Sequence, residues 1–170
     1  SIGGIAGKHQ NGGTIISSYA NAAVTATNGY AGGISGFICV GGNEYSGNAI
    51  VKNCYFTGKL STENPGGITG NIRIDTVKEC TITYIDCYYL DSAATGALYG
   101  KAQTGCTALP SANLKSSGAE LLGAPFVTAY ANLNDGYPVF EWQNILLGDV
   151  NNDETFSVDD AVILKDYLVK

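Results

Sequence analysis

The densest run of potential ligands lies in GDVNNDETFSVDDAVILKDYLVK, residues 148–170. Counting Asp149 as position 1, oxygen-bearing side chains fall at positions 1, 3, 5, 9 and 12: Asp149, Asn151, Asp153, Ser157 and Asp160. Thr155 stands at position 7, where a coiled twelve-residue loop offers its backbone carbonyl to a cation. Alternate residues of such a loop converge on one point, and a hard cation that takes about 6–8 oxygens, calcium above all, is what that set of atoms fits. A charged surface turn ahead of a helix would also carry Asp and Asn, but would not need them at these intervals. Two positions depart from the ideal. Position 6, where the turn demands positive φ, is Glu154 instead of Gly, at a cost on the order of 1 kcal/mol. Position 12 is Asp160, one methylene shorter than the Glu of an EF-hand.

The element that must follow this loop is a short helix, and Val158, Ala161, Val162, Leu164 and Leu168 give it an apolar side with no second helix in the sequence to cover it. That side has to pack on the preceding domain, on another chain, or on residues beyond these. With GDVNND ahead of VDDAVILKDYLVK, the segment resembles one half of the duplicated calcium segment of type I dockerins, the modules that plug cellulosomal proteins into cohesin domains of a scaffold. The resemblance covers about 23 residues and its motif is specific. It implies calcium as cofactor, a cohesin-type domain as partner, and partner contacts at Val158, Asp159 and Lys165, with Lys170 at the rim. A single segment in place of two also fits a purely structural calcium clip.

Ahead of the tail the chain is poor in charge and rich in glycine, and it repeats. GGIAG (3–7), GGISG (32–36) and GGITG (66–70) each precede a second shared stretch: TIISSYANAAV from 14, AIVKNCYFTGKL from 49 and TITYIDCYYLDSAA from 81. Alignment puts Tyr19, Tyr55 and Tyr88 at one position, Ser18 opposite Cys54 and Cys87, and Ile15 with Val51 and Tyr84. Rich in Ile, Val, Thr and Tyr, bounded by Gly, Asn and Pro, and without helical period, these stretches predict strands. The paired glycines suit positive φ or a close backbone approach. A period near 30 with several short strands per unit predicts coils that each bury an apolar face against their neighbours. The fold class expected is therefore mainly β, a right-handed β-helix or related β-solenoid of about three repeats; a β-sandwich with look-alike hairpins is the alternative. The GGI.G and NCY..G elements resemble GLUG-type repeats of large bacterial surface proteins, which implies an adhesive or extended protein, secreted or attached at the bacterial cell surface.

The pattern changes after the third repeat. LPSANLKSSGAELLG predicts a helix capped by Ser111 and closed by Gly123. In APFVTAYANLNDGYPVFEWQ, Asn-Asp-Gly marks a tight turn and Pro138 restricts the next segment to a sheet edge. Phe126, Tyr130, Tyr137, Phe140 and Trp142 gather there, as a cap over the last coil or as a platform for sugar rings. The expected organisation is repeats over 1–108, cap over 109–144, and calcium loop with helix over 145–170.

A net charge of −6 with 14% charged residues removes the basic stripe that nucleic acid requires. No apolar run is long enough for a membrane span and no signal peptide is visible; SIGGIAG opens inside a repeat, so the chain reads as part of something longer. Five cysteines form no CxxC pair and make zinc a poor fit; buried thiols or one or two bridges both remain open. His9 reads as a loop residue. The repeat region's Glu44, Glu63, Asp75, Glu79, Asp86 and Asp91, with Lys52, Lys59, Arg73 and Lys78, form no catalytic motif. The expectation is a non-catalytic calcium-binding tether on a repeat domain. A fragment of a polysaccharide-active β-helix enzyme and a glycan-binding adhesin are the alternatives.

Overall fold

The computed structural model describes residues 1–10, 12–41, 47–74, 80–130, 132–144, 149–151, 155 and 157–169. The chain is mainly β, with 39% of residues in strands, well above the usual share of about 20–25%. In chain order the strands are β1 (Ile2–Gly3), β2 (His9–Gln10), β3 (Thr14–Ala20), β4 (Val24–Thr25), β5 (Ala31–Gly32), β6 (Ser35–Val40) and β7 (Ala49–Phe56). They continue with β8 (Leu60–Ser61), β9 (Thr69–Ile74), β10 (Ile82–Leu90), β11 (Cys106–Leu109), β12 (Phe126–Val127) and β13 (Val139–Phe140). The α-helices are α1 (Ser111–Leu122) and α2 (Val158–Leu168).

Pairing is parallel in every sheet before α1. The largest runs β11-β10-β7-β3, beside β2-β6-β9, β1-β5 and β4-β8. Between β3 and β7 the chain visits β4, β5 and β6, which belong to three other sheets. Parallel ladders of this kind exclude the hairpin-built sandwich, whose sheets are antiparallel. The register matches the sequence alignment: Ile15 pairs with Val51 and Val51 with Tyr84, Ser18 with Cys54 and Cys54 with Cys87, Tyr19 with Tyr55 and Tyr55 with Tyr88. Between these pairs Ser17, Asn53 and Asp86 all have positive φ, at 45°, 50° and 47°. Each long strand therefore bends at the same place, on a short polar side chain that tolerates the left-handed region.

The paired glycines prove to be sites of close approach. A Cβ on Gly33 would lie 2.4 Å from the Phe56 ring, on Gly67 2.2 Å from the Tyr89 ring, and on Gly4 2.6 Å from Ala20. Ala20, Phe56 and Tyr89 are themselves register partners. Each repeat thus folds back so that its glycine pair lies against the end of its own long strand, and only hydrogen leaves the room. The apolar residues between, among them Ile34, Ile38, Val51, Cys54, Phe56 and Ile68, form one buried core.

A second core lies on the other side of the long strands, where Tyr55, Tyr88 and Leu90 meet Leu114, Leu122 and Phe126, with Tyr19 and Phe140 at its edge. Tyr19 stacks on Tyr55 at 5.0 Å and 1° between planes, and Phe126 meets both rings edge-on. The segment read as an end cap therefore lies across the tyrosine ladder of β3, β7 and β10. The reason is that three aromatic rings on one sheet face offer far more apolar area than the edge of one last strand. The Tyr55 hydroxyl donates to the Pro138 carbonyl and accepts from Asn134 Nδ2 at 2.8 Å, tying the Asn-Asp-Gly turn to the sheet.

Two local expectations need correction. Ser111 is the first helical residue, not the cap; Pro110 takes the cap position without a side-chain bond, and the Ser111 hydroxyl instead meets the Tyr137 hydroxyl at 2.7 Å. Proline's fixed φ opens the helix, so no hydroxyl cap is needed. Gly123 closes it at φ 67°, as its sequence position implies. His9 is not in a loop: it lies on β2 opposite Ile38, 7% exposed, with neither ring nitrogen hydrogen-bonded among the described residues. Its neighbours in the sheet are apolar, which local sequence did not reveal.

Candidate functional site

The loop that opens α2 is organised by Asp160. Its carboxylate is buried, 1% exposed, and gathers backbone donors from both ends of the loop. Oδ1 accepts the N–H of Val150 at 2.8 Å and of Asn151 at 3.4 Å, and Oδ2 accepts the N–H of Ser157 at 2.8 Å. Donation from Ser157, then from Val150 and Asn151, holds the carboxyl below the usual carboxylate range against the opposing effect of burial. The Ser157 hydroxyl caps the helix by accepting the N–H of Asp159 at 3.1 Å, so Ser157 and Asp160 form a reciprocal capping box. A negative charge in the first turn also suits the helix dipole.

Position 12 is thus drawn to positions 2, 3 and 9 of the expected loop. Of the other expected ligands, Asp149 and Ser157 are half-buried, while Asn151 and Thr155 are exposed. Asp153 lies outside the described residues, as does Glu154. Among the described residues no three His, Cys, Asp or Glu side chains form a metal-holding group. The described donors of the loop are instead two carboxylates, an amide, a hydroxyl and a backbone carbonyl, all of them oxygen, which is the chemistry of a hard cation. A carboxylate offers about four lone-pair positions. Among the described residues, the N–H groups of Val150, Asn151 and Ser157 share that capacity on Asp160. The residues therefore fit calcium, with an Asp160 carboxylate that would be shared between the ion and the backbone donors that close the loop.

Helix α2 turns Asp160 inward and almost everything else outward. Val158 is 77% exposed, Leu168 75%, and Val162, Ile163 and Leu164 between 40% and 48%. Asp159 and Lys165 are exposed too, so all three expected partner contacts stand free of the described residues around them. Of the three places its apolar side could pack, the described residues of the preceding cap do not cover it at these positions.

The cysteines contribute a buried ladder. Cys54, Cys87 and Cys106 are register partners on β7, β10 and β11, and all five cysteines are free thiols. Hydrogen bonding to Cys87, with burial, pushes the Cys54 and Cys106 thiols up, and Cys87, hydrogen-bonded by both, is held below them. Cys54 and Cys87 also donate to strand carbonyls, at 3.1 Å to Lys52 and 3.3 Å to Ile85, as packing residues do. Of the charged residues weighed for catalysis, Arg73 and Asp86 are exposed, and Glu44, Asp75, Lys78 and Glu79 lie outside the described residues.

Sequence reasoning missed the donors of the loop, Val150, Asn151 and Ser157, because they act through backbone N–H. Ser157-x-x-Asp160 ahead of an apolar run was the available signal. It also missed two concave surfaces. One, of about 550 Å³, lies between Asn21 and Thr57 at the strand ends and Lys115, Asp135 and Tyr137 of the cap. The other, of about 310 Å³, lies where Tyr30, Asn64 and Tyr99 meet. No protein-family model matches the chain, no curated protein matches it, and no solved structure matches it.

Proposed function

We propose that this chain is a non-catalytic module of an extracellular bacterial protein, in which a β-solenoid carries a calcium-organised helix that tethers its parent to a scaffold domain of the cohesin type. The observation that carries the reading is the pairing of two features in one segment. Asp160 is buried and bound to both ends of an all-oxygen loop, while the helix it anchors leaves Val158, Val162, Leu164 and Leu168 exposed. A structural clip would need only the first feature. A docking element needs both, because exposed apolar area that none of the described residues covers is the driving force for association. When bound, calcium would bring fixed positive charge to the loop oxygens, and Asp149, Asn151, Asp153, Thr155, Ser157 and Asp160 would hold it. The rest of the task falls to the chain: the capping box sets where α2 starts, and Asp159 and Lys165 set its charge pattern.

For the repeats, we read the parallel ladders as successive coils of a right-handed β-helix. Support comes from the route of the chain, which passes from β3 to β7 through three other sheets, and from crossovers between parallel strands being right-handed in about 98% of cases. Coils of this kind make a stiff spacer. The test is capture of the full chain by a panel of cohesin domains in calcium and in chelator. Calcium-dependent capture, lost on Val158→Asp with Leu168→Asp, is the expected result. Uniform failure in calcium, with the loop shown to hold its ion, would refute the tether and leave the clip.

A further inference from the structure

The geometry points to a neutral-saccharide site at the corner where three successive connections stack, with Tyr99 as its platform. The concavity, about 310 Å³, is lined by Asn28 and Tyr30 of the first connection, Thr62, Glu63 and Asn64 of the second, and Tyr99 of the third. That these connections lie side by side follows from the pairing of Val24 with Leu60, Gly32 with Gly66 and Thr69 with Leu98. Three neighbouring levels span two strand spacings, about 9.6 Å, a length suited to two linked sugar rings.

Tyr99 is the residue that calls for an explanation. It sits in a two-residue turn closed by reciprocal bonds, Leu98 N–H to Lys101 O at 3.0 Å and Lys101 N–H to Leu98 O at 2.7 Å. Both central residues have positive φ, 46° at Tyr99 and 71° at Gly100. Turns of this primed type favour Asn-Gly or Gly-Gly, and a bulky aromatic at the first position is a costly choice. The ring does not repay that cost by burial, since 38% of Tyr99 stays exposed. It is instead positioned: its ring and that of Tyr30 meet in a T-shaped pair at 5.7 Å, Tyr30 is backed by Phe37 at 5.9 Å, and Asn64 Nδ2 reaches its hydroxyl at 3.5 Å. A strained, aimed and solvent-facing aromatic is the mark of a binding surface.

The lining decides the ligand. An aromatic face attracts the slightly positive C–H face of a pyranose, and planar amides and a carboxylate can pair with adjacent hydroxyls, donating and accepting at once. Among the described residues of the lining Glu63 is the one charged side chain, so an anionic sugar is disfavoured. Neutral saccharides match both halves of the surface.

The experiment is calorimetric titration of the full chain with cellotetraose, xylotetraose, mannotetraose and maltotetraose, with tetragalacturonate as the anionic control. Three variants accompany it: Tyr99→Asn, Asn64→Ala and Trp142→Ala. Tyr99→Asn puts the preferred residue in the turn while deleting the ring, so its melting temperature should match or exceed that of the parent chain. The expected result is binding of at least one neutral tetrasaccharide, weakened about tenfold or more by Tyr99→Asn and by Asn64→Ala, and unchanged by Trp142→Ala on the exposed cap. Silence of all four neutral probes, binding that survives Tyr99→Asn, or tighter binding of tetragalacturonate would overturn the assignment.

Discussion

Replacing Tyr55 by Phe tests how firmly the segment after the repeats is joined to them. Tyr55 is fully buried, and burial pushes its hydroxyl up, so it stays a donor to the Pro138 carbonyl throughout the working pH range. Phe keeps the ring and its stack on Tyr19 but removes the hydroxyl. The Pro138 carbonyl is not orphaned, because Asn134 Nδ2 still reaches it at 3.2 Å. The expected loss is therefore that of one buried bond to the backbone, about 1–2 kcal/mol, or about 2–8 °C in melting temperature for a chain of this size. Tyr55→Leu also removes the stack with Tyr19 and the edge contact with Phe126, each worth about 0.5–1.5 kcal/mol, so its loss should reach about 2–5 kcal/mol. Urea unfolding is followed by circular dichroism, which reports the strands, and by fluorescence of Trp142, the single tryptophan, which stacks on Phe140 in the cap. Both probes should shift together in both variants. If both variants stay within about 0.5 kcal/mol of the parent, or the fluorescence transition moves while the strand signal stays put, the tyrosine ladder does not bind the two parts into one unit.

Gly67→Ala should destabilise by about 1–3 kcal/mol or more, because its Cβ would meet the buried Tyr89 ring at 2.2 Å; combining it with Tyr89→Leu should recover part of the loss in urea midpoint, since the two side chains compete for one space. Asp160 has a folded-state pKa below the ordinary carboxylate value of about 3.9. Its contribution is present at pH above that ordinary value and is lost as pH falls through the lowered one. In chelator, protection of the Val150 and Ser157 amides from hydrogen exchange should hold from neutral pH to about pH 4 and fall below it, and Asp160→Asn should abolish that dependence.

What the sequence made legible was whatever repeated. Tyr19, Tyr55 and Tyr88 align by eye because each repeat places a like residue at the same register position, and the ladder then pairs them directly. The glycine pairs were legible as special positions, but not in kind: positive φ and close approach leave the same residue in a sequence, and only the Phe56 and Tyr89 rings beneath Gly33 and Gly67 separate the two. The flank position of the cap was not legible, since it depends on which side of the long strands Tyr55 faces after the bend at Asn53. The Tyr99 turn hid for the opposite reason. Its residue contradicts the local rule for such turns, so the sequence ALYGK carries no hairpin signal. In the tail, counting oxygens found Asp160, but the backbone donors that close the loop have no side-chain signature.

Calcium titration of the full chain, followed by amide resonances of Val150, Asn151 and Ser157, addresses the central claim most directly. The account predicts saturable shifts of all three at one ion per chain. The affinity should be weak, with a dissociation constant on the order of 0.1–1 mM, because the Asp160 carboxylate already accepts backbone N–H groups from Val150, Asn151 and Ser157. Asp160→Ala should remove the shifts. Amides that stay unmoved through several millimolar calcium, or that shift equally in Asp160→Ala, would contradict it.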